Sequence, residues 1–420
     1  MDDQDFAGSG VVLPSGRGGV EMPGAAPRVT SGIVEHHDWR VALSRLVDEV
    51  IPADIGTPDL VMLFASTSFA PSYPELVAAA RYLTGARQLV GSSGSGVIGG
   101  GVELERRPGL AMMAWWLPDA ELTVTYLDKA EVDALAPAGN DLPLTTSARS
   151  WLVLGEPFRC NVQGLLNHLA QTSPGVPVVG GLSARSGDRR QGWIFHDDRV
   201  VDEGALAISL GGPYRLLPVV AQGCEPIGEV WTITEVERNV LRTIGCRPAL
   251  ERLDEAIATL PVSLQAHAWE NVVLGFAMDE YQETFHRGDF LVRGVLAIDR
   301  DRGWVRIGGR PRVGQSIQVH IRDAEVAGIA LKQVLTDARA TLGEARPLAG
   351  MLFSGKGRGE GLFGAPHHDA AFLQASFPGL PVVGMTAGMG VAPAARRVAL
   401  HGFAAVIALL VADAFPVLHV

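Results

Sequence analysis

Apolar residues in this chain gather in runs too continuous for a half-exposed strand and too short for a membrane helix. Leu60-Val-Met-Leu-Phe-Ala-Ser66, Trp151-Leu-Val-Leu-Gly155 and Pro347-Leu-Ala-Gly-Met-Leu-Phe-Ser354 each read as a strand buried on both faces. Each leads into a helix: one opened by Pro74, one over 161–170, and one over 366–377, where Pro366 suits the first turn. Each helix is followed by a shorter apolar strand that reaches a glycine, at Leu89-Val90-Gly91, Val176-Pro-Val-Val-Gly180 and Leu380-Pro-Val-Val-Gly384. The intervals Leu60 to Val90, Leu152 to Val179 and Met351 to Val383 are 30, 27 and 32 residues. A strand–loop–helix–strand unit is thus used three times.

Further elements surround these units. Asp38 is placed to cap a helix through Val50, with Leu43, Leu46, Val47 and Val50 on one face. Residues 100–105 and 110–116 suggest a hairpin about Pro108-Gly109, and 191–195 with 205–210 a second about His196-Asp-Asp-Arg199. A helix is expected over 248–260, strands at 272–276, 290–298, 304–307 and 317–321, and a long helix from the cap Asp323 to Leu342. That helix would turn Val326, Ile329, Ala330, Val334 and Ala338 inward and stop at Gly343. The fold class is α/β with mixed sheets, arranged as two related domains over 31–228 and 229–420. A Gly- and Pro-rich segment, 1–30, precedes them and is expected to be disordered.

Charge narrows the function. Lys and Arg number 35 against 46 Asp and Glu, a net −11, and no basic run offsets it, which argues against nucleic acid. Residues 1–5 are acidic, unlike a secretory leader, and the apolar run 403–411 is too short for a bilayer, so no membrane association is expected. Three widely spaced cysteines, Cys160, Cys224 and Cys246, provide neither a disulfide framework nor a zinc site and point to a reducing cytoplasm.

The glycine-rich stretches invite nucleotide readings that fail on detail. Gly350–Gly357 approaches a P-loop but carries Gly357 where a hydroxyl should hold magnesium, and its cradle would be a buried strand. Gly359-Glu-Gly361-Leu-Phe-Gly364 follows a strand and precedes a helix, yet the next strand ends without the acidic residue that a dinucleotide site needs. No G-x-S-x-G elbow is present, and adjacent His367 and His368 project about 100° apart on a helix, a poor metal chelate. The sequence therefore designates no catalytic residue and no metal ligand. The positive reading is a crevice at the strand ends, formed by Gly91, Ser92, Ser93, Gly180, Gly181, Ser183, Ser354, Gly384 and Thr386, with Lys356 and Arg358 supplying charge to a small anionic or zwitterionic ligand. The bland alternative is that the glycines make turns and the two cations are solvated.

Several stretches together resemble the FIST family. Residues 41–118, with the Leu-Val-Gly-Ser-Ser-Gly run, are similar to the FIST N-terminal domain. Gly245-Cys-Arg-Pro-Ala-Leu-Glu-Arg-Leu-Asp254, Phe290-Leu-Val-Arg-Gly294, Val319-His-Ile-Arg-Asp323, Phe353-Ser-Gly-Lys-Gly-Arg-Gly359 and Pro381-Val-Val-Gly384 are similar to the C-terminal domain. The resemblance spans roughly 35–411. It implies a non-catalytic sensory pair that binds small ligands, amino acids among them, and passes its signal to a separate protein such as a kinase. Some relatives bind haem, and His196 and His286 are loop candidates for an axial ligand here, although no histidine is singled out. Gly355 stands where the family often carries Cys, and Met389 where it often carries Glu. An enzyme acting on a phosphorylated small molecule and a protein-interaction scaffold are the other readings.

Overall fold

The computed structural model describes residues 26–135, 147–184, 191–395 and 397–413. Most of the expected lead-in lies outside them, while Arg28–Thr30 already belong to a strand, Arg28–Glu35. Three six-stranded sheets share one plan. The first runs in the order Arg28–Glu35, Gly109–Trp116, Leu60–Ser66, Gln88–Gly94, Ile194–His196, Arg199–Val201. The second runs Glu121–Leu127, Ala205–Gly211, Ser150–Gly155, Val178–Leu182, Met389–Ala394, Arg397–His401. The third runs Tyr214–Gln222, Ala404–Ala412, Ala349–Gly355, Val382–Ala387, Gly96–Gly99, Val102–Glu105. In each, the two central strands are parallel and joined through a helix, as a parallel pair requires, and the outer pairings are antiparallel.

Strand alternation explains why the central runs are apolar throughout. Leu60, Met62 and Phe64 point into one core shared by all three sheets, where they meet Leu152, Leu154, Met351 and Phe353. Phe64 and Phe353 meet edge to face at 6.1 Å, a geometry worth about 0.5–1.5 kcal/mol beyond area burial. The alternate residues Val61, Leu63 and Ala65 pack outward under Trp39–Val50 and Tyr73–Thr84. Equivalent helices cover the other sheets: Val162–Thr172 the second, and Ala324–Leu342 with His368–Ser376 the third. Among the described residues no helix is long and apolar enough to cross a membrane.

The hairpins depart from local expectation. Residues 100–105 and 110–116 do not pair: Gly96–Gly99 and Val102–Glu105 pair with each other and extend the third sheet, whereas Gly109–Trp116 lies in the first. Likewise Ile194–His196 turns back on Arg199–Val201 through Asp197 and joins the first sheet, leaving Ala205–Gly211 to the second. Met389–Ala394 and Arg397–His401 complete the second sheet. Each unit therefore hands its hairpin to another unit's sheet, in a closed cycle. Pairing by sequence proximity misses this, because the edge left open by each second strand is filled from far along the chain.

Residues 224–322 form a seven-stranded sheet inserted between Tyr214–Gln222 and Ala324–Leu342, with Ala249–Ala258 and Val262–Asn271 packed on it. Strands on both sides of the expected division at 228 pair with each other, as Tyr214–Gln222 does with Ala404–Ala412. The long helix is capped by Asp323 as expected, but it buries Ala327, Leu331, Leu335, Ala338 and Leu342, and Ile329 faces outward. Both stripes are apolar in sequence, and the one with longer leucines wins the interior.

The small-residue corners also differ. Gly91, Gly180 and Gly384 lie within strands, not turns, directly opposite Leu63, Val153 and Leu352. A Cβ at these glycines would sit 1.9, 1.9 and 1.8 Å from the facing carbonyl oxygen, so close backbone approach is what selects Gly. Gly384→Ala should consequently cost upwards of about 3 kcal/mol or abolish soluble protein. Gly361→Ala, with nothing within 4 Å, should leave the thermal midpoint nearly unchanged. Thermal denaturation of the two variants checks this, and equal tolerance would refute the close-approach argument.

Candidate functional site

The three strand ends expected to form a crevice do converge, but they close on one another. Ala184 N donates to Ser93 O at 3.4 Å, Ser95 N to Thr386 O at 3.2 Å, and Gly388 N to Leu182 O at 2.9 Å. The backbone groups expected to greet a ligand are thus spent in a ring. Ser92 Oγ donates to Trp193 O, Ser93 Oγ accepts from Trp193 N, and Gly181 packs against Phe353. Ser183 is buried, its hydroxyl without a partner among the described residues, and Thr386 Oγ1 lies over Gly96. At Gly355 a Cβ would come within 2.8 Å of Ala404 O, so the backbone leaves no room for the relatives' cysteine.

Arg358 is a second correction. Its side chain is 0% exposed and grips Asp369, 1% exposed, through Nε at 2.7 Å and Nη2 at 2.8 Å. Ser354 Oγ donates to the same carboxylate at 2.9 Å, and His368 Nδ1 lies 3.0 Å from it. Burial alone would raise the Asp369 carboxyl; the Arg358 guanidinium outweighs it and holds the group well below the usual carboxylate range. Glu103, from the exchanged hairpin, completes the cluster and accepts from Ala370 N at 2.8 Å. Burial first, then the Asp369 charge, push Glu103 up to about 7. His367 accepts from Glu103 N, and Glu105 caps Glu360 N at 2.9 Å, so the helix start after the Gly-x-Gly run is occupied by the protein's own carboxylate. These groups bind hairpin to sheet; they are closed to a ligand.

Open space lies elsewhere, between the three-sheet body and the inserted sheet. A cleft of about 790 Å³ is lined by Lys356, Arg159, Arg293 and Arg310, with Asp133 the acidic residue on its wall. Lys356, expected at the strand-end corner, lines this cleft instead. Arg293 stands on Phe290–Asp299 and spends Nη1 on the carbonyls of Val292 and Leu400 at 2.9 and 3.0 Å, which ties the inserted sheet to the body. Among the described residues its Nε and Nη2 bond to no protein atom, and it has no carboxylate partner. Burial pulls its guanidinium down to about 10, which leaves it charged at neutral pH. Gly308 and Gly309 keep the wall beside it low; Gly309 holds φ at +106° with Arg293 Nε 3.3 Å from where a Cβ would be. Arg293 sits in the Phe290-Leu-Val-Arg-Gly294 motif, so the signal was present: a lone cation in an apolar strand ahead of glycine. Arg310 carried none.

Cys160 also lines the cleft, but burial pushes its thiol up to about 11, and Sγ lies 3.0 Å from Glu156 O, which makes a poor nucleophile. Among the described residues no group of three His, Cys, Asp or Glu is placed to hold a metal.

Comparison with known proteins matches residues 59–247 to the FIST N domain and 249–388 to the FIST C domain. The chain belongs to the FIST family. An uncharacterized protein from Mycobacterium tuberculosis is 33% identical over 359 residues, covering 85% of this chain and 92% of that protein. Another, from Mycobacterium bovis, is 31% identical over 358 residues, 85% of this chain and 91% of its own length. FIST domains are associated with small-ligand sensing in signal transduction and are sensory rather than catalytic. The two FIST matches meet at residue 248, inside the inserted sheet, so the cleft is built from both.

Glu103 makes the FIST body pH-sensitive. Its folded pKa is raised, so its contribution to stability is complete below the unfolded value near 4.5 and is lost as pH rises through about 7. Glu103→Gln, which mimics the protonated acid, should gain stability relative to the parent between pH 5.5 and 8 in denaturant titrations. A difference that stays flat across that range would show Glu103 to be unshifted.

Proposed function

We propose that this FIST protein is a non-catalytic sensor whose small anionic or zwitterionic ligand, such as an amino acid, binds the cleft between body and inserted sheet. One observation carries the reading: in a chain of net charge −11, Arg293 is half-buried in the cleft with no carboxylate partner among the described residues, and Lys356 and Arg310 line the same cleft. A guanidinium with free N–H groups in a partly desolvated site is suited to a carboxylate or phosphate. Because Nη1 of Arg293 holds Leu400 of the body while its strand belongs to the inserted sheet, a ligand on Nε and Nη2 bears on both sides of the cleft at once. Such a two-sided hold is what a sensor needs to bias the relative placement of two parts. The signal would pass to a separate protein, such as a kinase, inside the cytoplasm.

Thermal-shift and calorimetric screens of amino acids, small carboxylates and phosphate should find a stabilising anion. Arg293→Lys, which keeps the charge but loses the fork, should weaken it, and Arg310→Ala should weaken it roughly 10-fold or more without unfolding the chain. No stabilisation by any anion, or binding indifferent to both substitutions, rejects the cleft as the site.

A further inference from the structure

The cleft continues past Arg293. Beyond Gly308–Arg310 lies a second cavity of about 300 Å³; Gln163, Arg293, Gly308, Gly309 and Arg310 line both spaces. Lys356 belongs to the larger space alone, Arg312 and Arg397 to the smaller alone. Neither Asp nor Glu lines the smaller cavity. Arg312 has a carboxylate of its own in Glu280, but Arg293, Arg310, Lys356 and Arg397 form no ion pair among the described residues. Elsewhere on the surface Arg149, Arg247 and Arg252 do find carboxylates.

Cations at either end therefore flank two shared arginines, Arg293 and Arg310, and a single negative group can answer only one end. The unanswered cations repel one another, most strongly at half-buried Arg293, while Arg310, Lys356 and Arg397 are exposed, and the repulsion falls when an anion arrives at both ends. The passage between the ends is kept free of side chains by Gly308 and Gly309, and Phe276, Leu291 and Val398 give the smaller cavity an apolar wall. We infer that the ligand is an elongated dianion with an acidic group at each end: one held by Lys356, the other by Arg397, with Arg293 and Arg310 between them and a short aliphatic spacer over the two glycines. This rests on the reading of the cleft as the ligand site and adds to it the number and placement of the charges. The recognised chemistry, two separated acids, is common to dicarboxylates and to phosphorylated carboxylates.

Isothermal titration of the full chain, at fixed ionic strength, separates these sources. Glutarate and adipate supply two carboxylates, 3-phosphoglycerate a carboxylate and a phosphate, and butyrate and glycerol 3-phosphate are the one-ended controls. At least one two-ended compound should bind tenfold or more above its one-ended counterpart. Arg397→Ala, an exposed substitution, should erase that advantage yet leave the one-ended compound within about twofold, and Lys356→Ala should erase it from the opposite end. Equal binding of one-ended and two-ended probes, or full retention of the advantage in Arg397→Ala, overturns the dianion while leaving a single-anion site in the cleft. Failure of every probe to bind overturns both readings.

Discussion

Each of the three sheets has a parallel pair at its centre, and the free edge of that pair is filled by a hairpin from a different unit. Everything else in the body follows from this cyclic completion. An open edge of unpaired N–H and C=O groups is a liability, and here each unit removes the liability of another. The three strand ends that meet at the hub are locked by backbone hydrogen bonds of the same pattern, from Ala184, Ser95 and Gly388 to Ser93, Thr386 and Leu182. The cleft is a by-product of the same exchange. The hairpin delivered to the second sheet brings Leu400, Gly402 and Phe403 against the inserted sheet, and Arg293 reaches across to Leu400.

Charge is used in two opposite ways. Around Glu103, Arg358 and Asp369 it is buried and largely balanced; breaking such a buried pair ordinarily costs about 3–5 kcal/mol, because the survivor is left uncompensated. There the charges join an exchanged hairpin to the sheet that receives it. Along the cleft they are left unbalanced, with several cations and little acid. Sequence reasoning gave Lys356 and Arg358 one role, charge for a ligand, and the structure separates them: two residues apart, Lys356 lines the cleft and Arg358 is buried against Asp369.

The parallel pairs, their helices and four of the seven strands of the inserted sheet were legible because apolar periodicity and caps such as Asp38 and Asp323 are local signals. The edge strands Arg28–Glu35, Glu121–Leu127 and Tyr214–Gln222 were missed, since half-exposed strands of mixed composition leave weak patterns. Hairpin destinations were illegible for a stronger reason: Gly96–Gly99 meets Val382–Ala387, more than half the chain away. The glycines were noticed for the wrong cause. Gly91, Gly180 and Gly384 answer to a carbonyl on the neighbouring strand, a demand invisible until the register is known. At the cleft, Lys356 had been named for a different corner, Arg293 carried a motif whose meaning needed the fold, and Arg310 depends on how the inserted sheet docks, which no linear spacing encodes.

The cyclic completion also sets an order on biosynthesis. As the polypeptide leaves the ribosome, residues 96–105 emerge with no sheet to join, because their acceptor at 382–387 is made near the end. The first sheet waits for 194–201, the second for 389–401, and until then each presents a raw edge to the crowded cell. A fragment that stops between the two family matches would complete the first sheet with 194–201, yet it would leave the second sheet without 389–401 and residues 96–105 without an acceptor, so the two matches share sheets however separable they look as text.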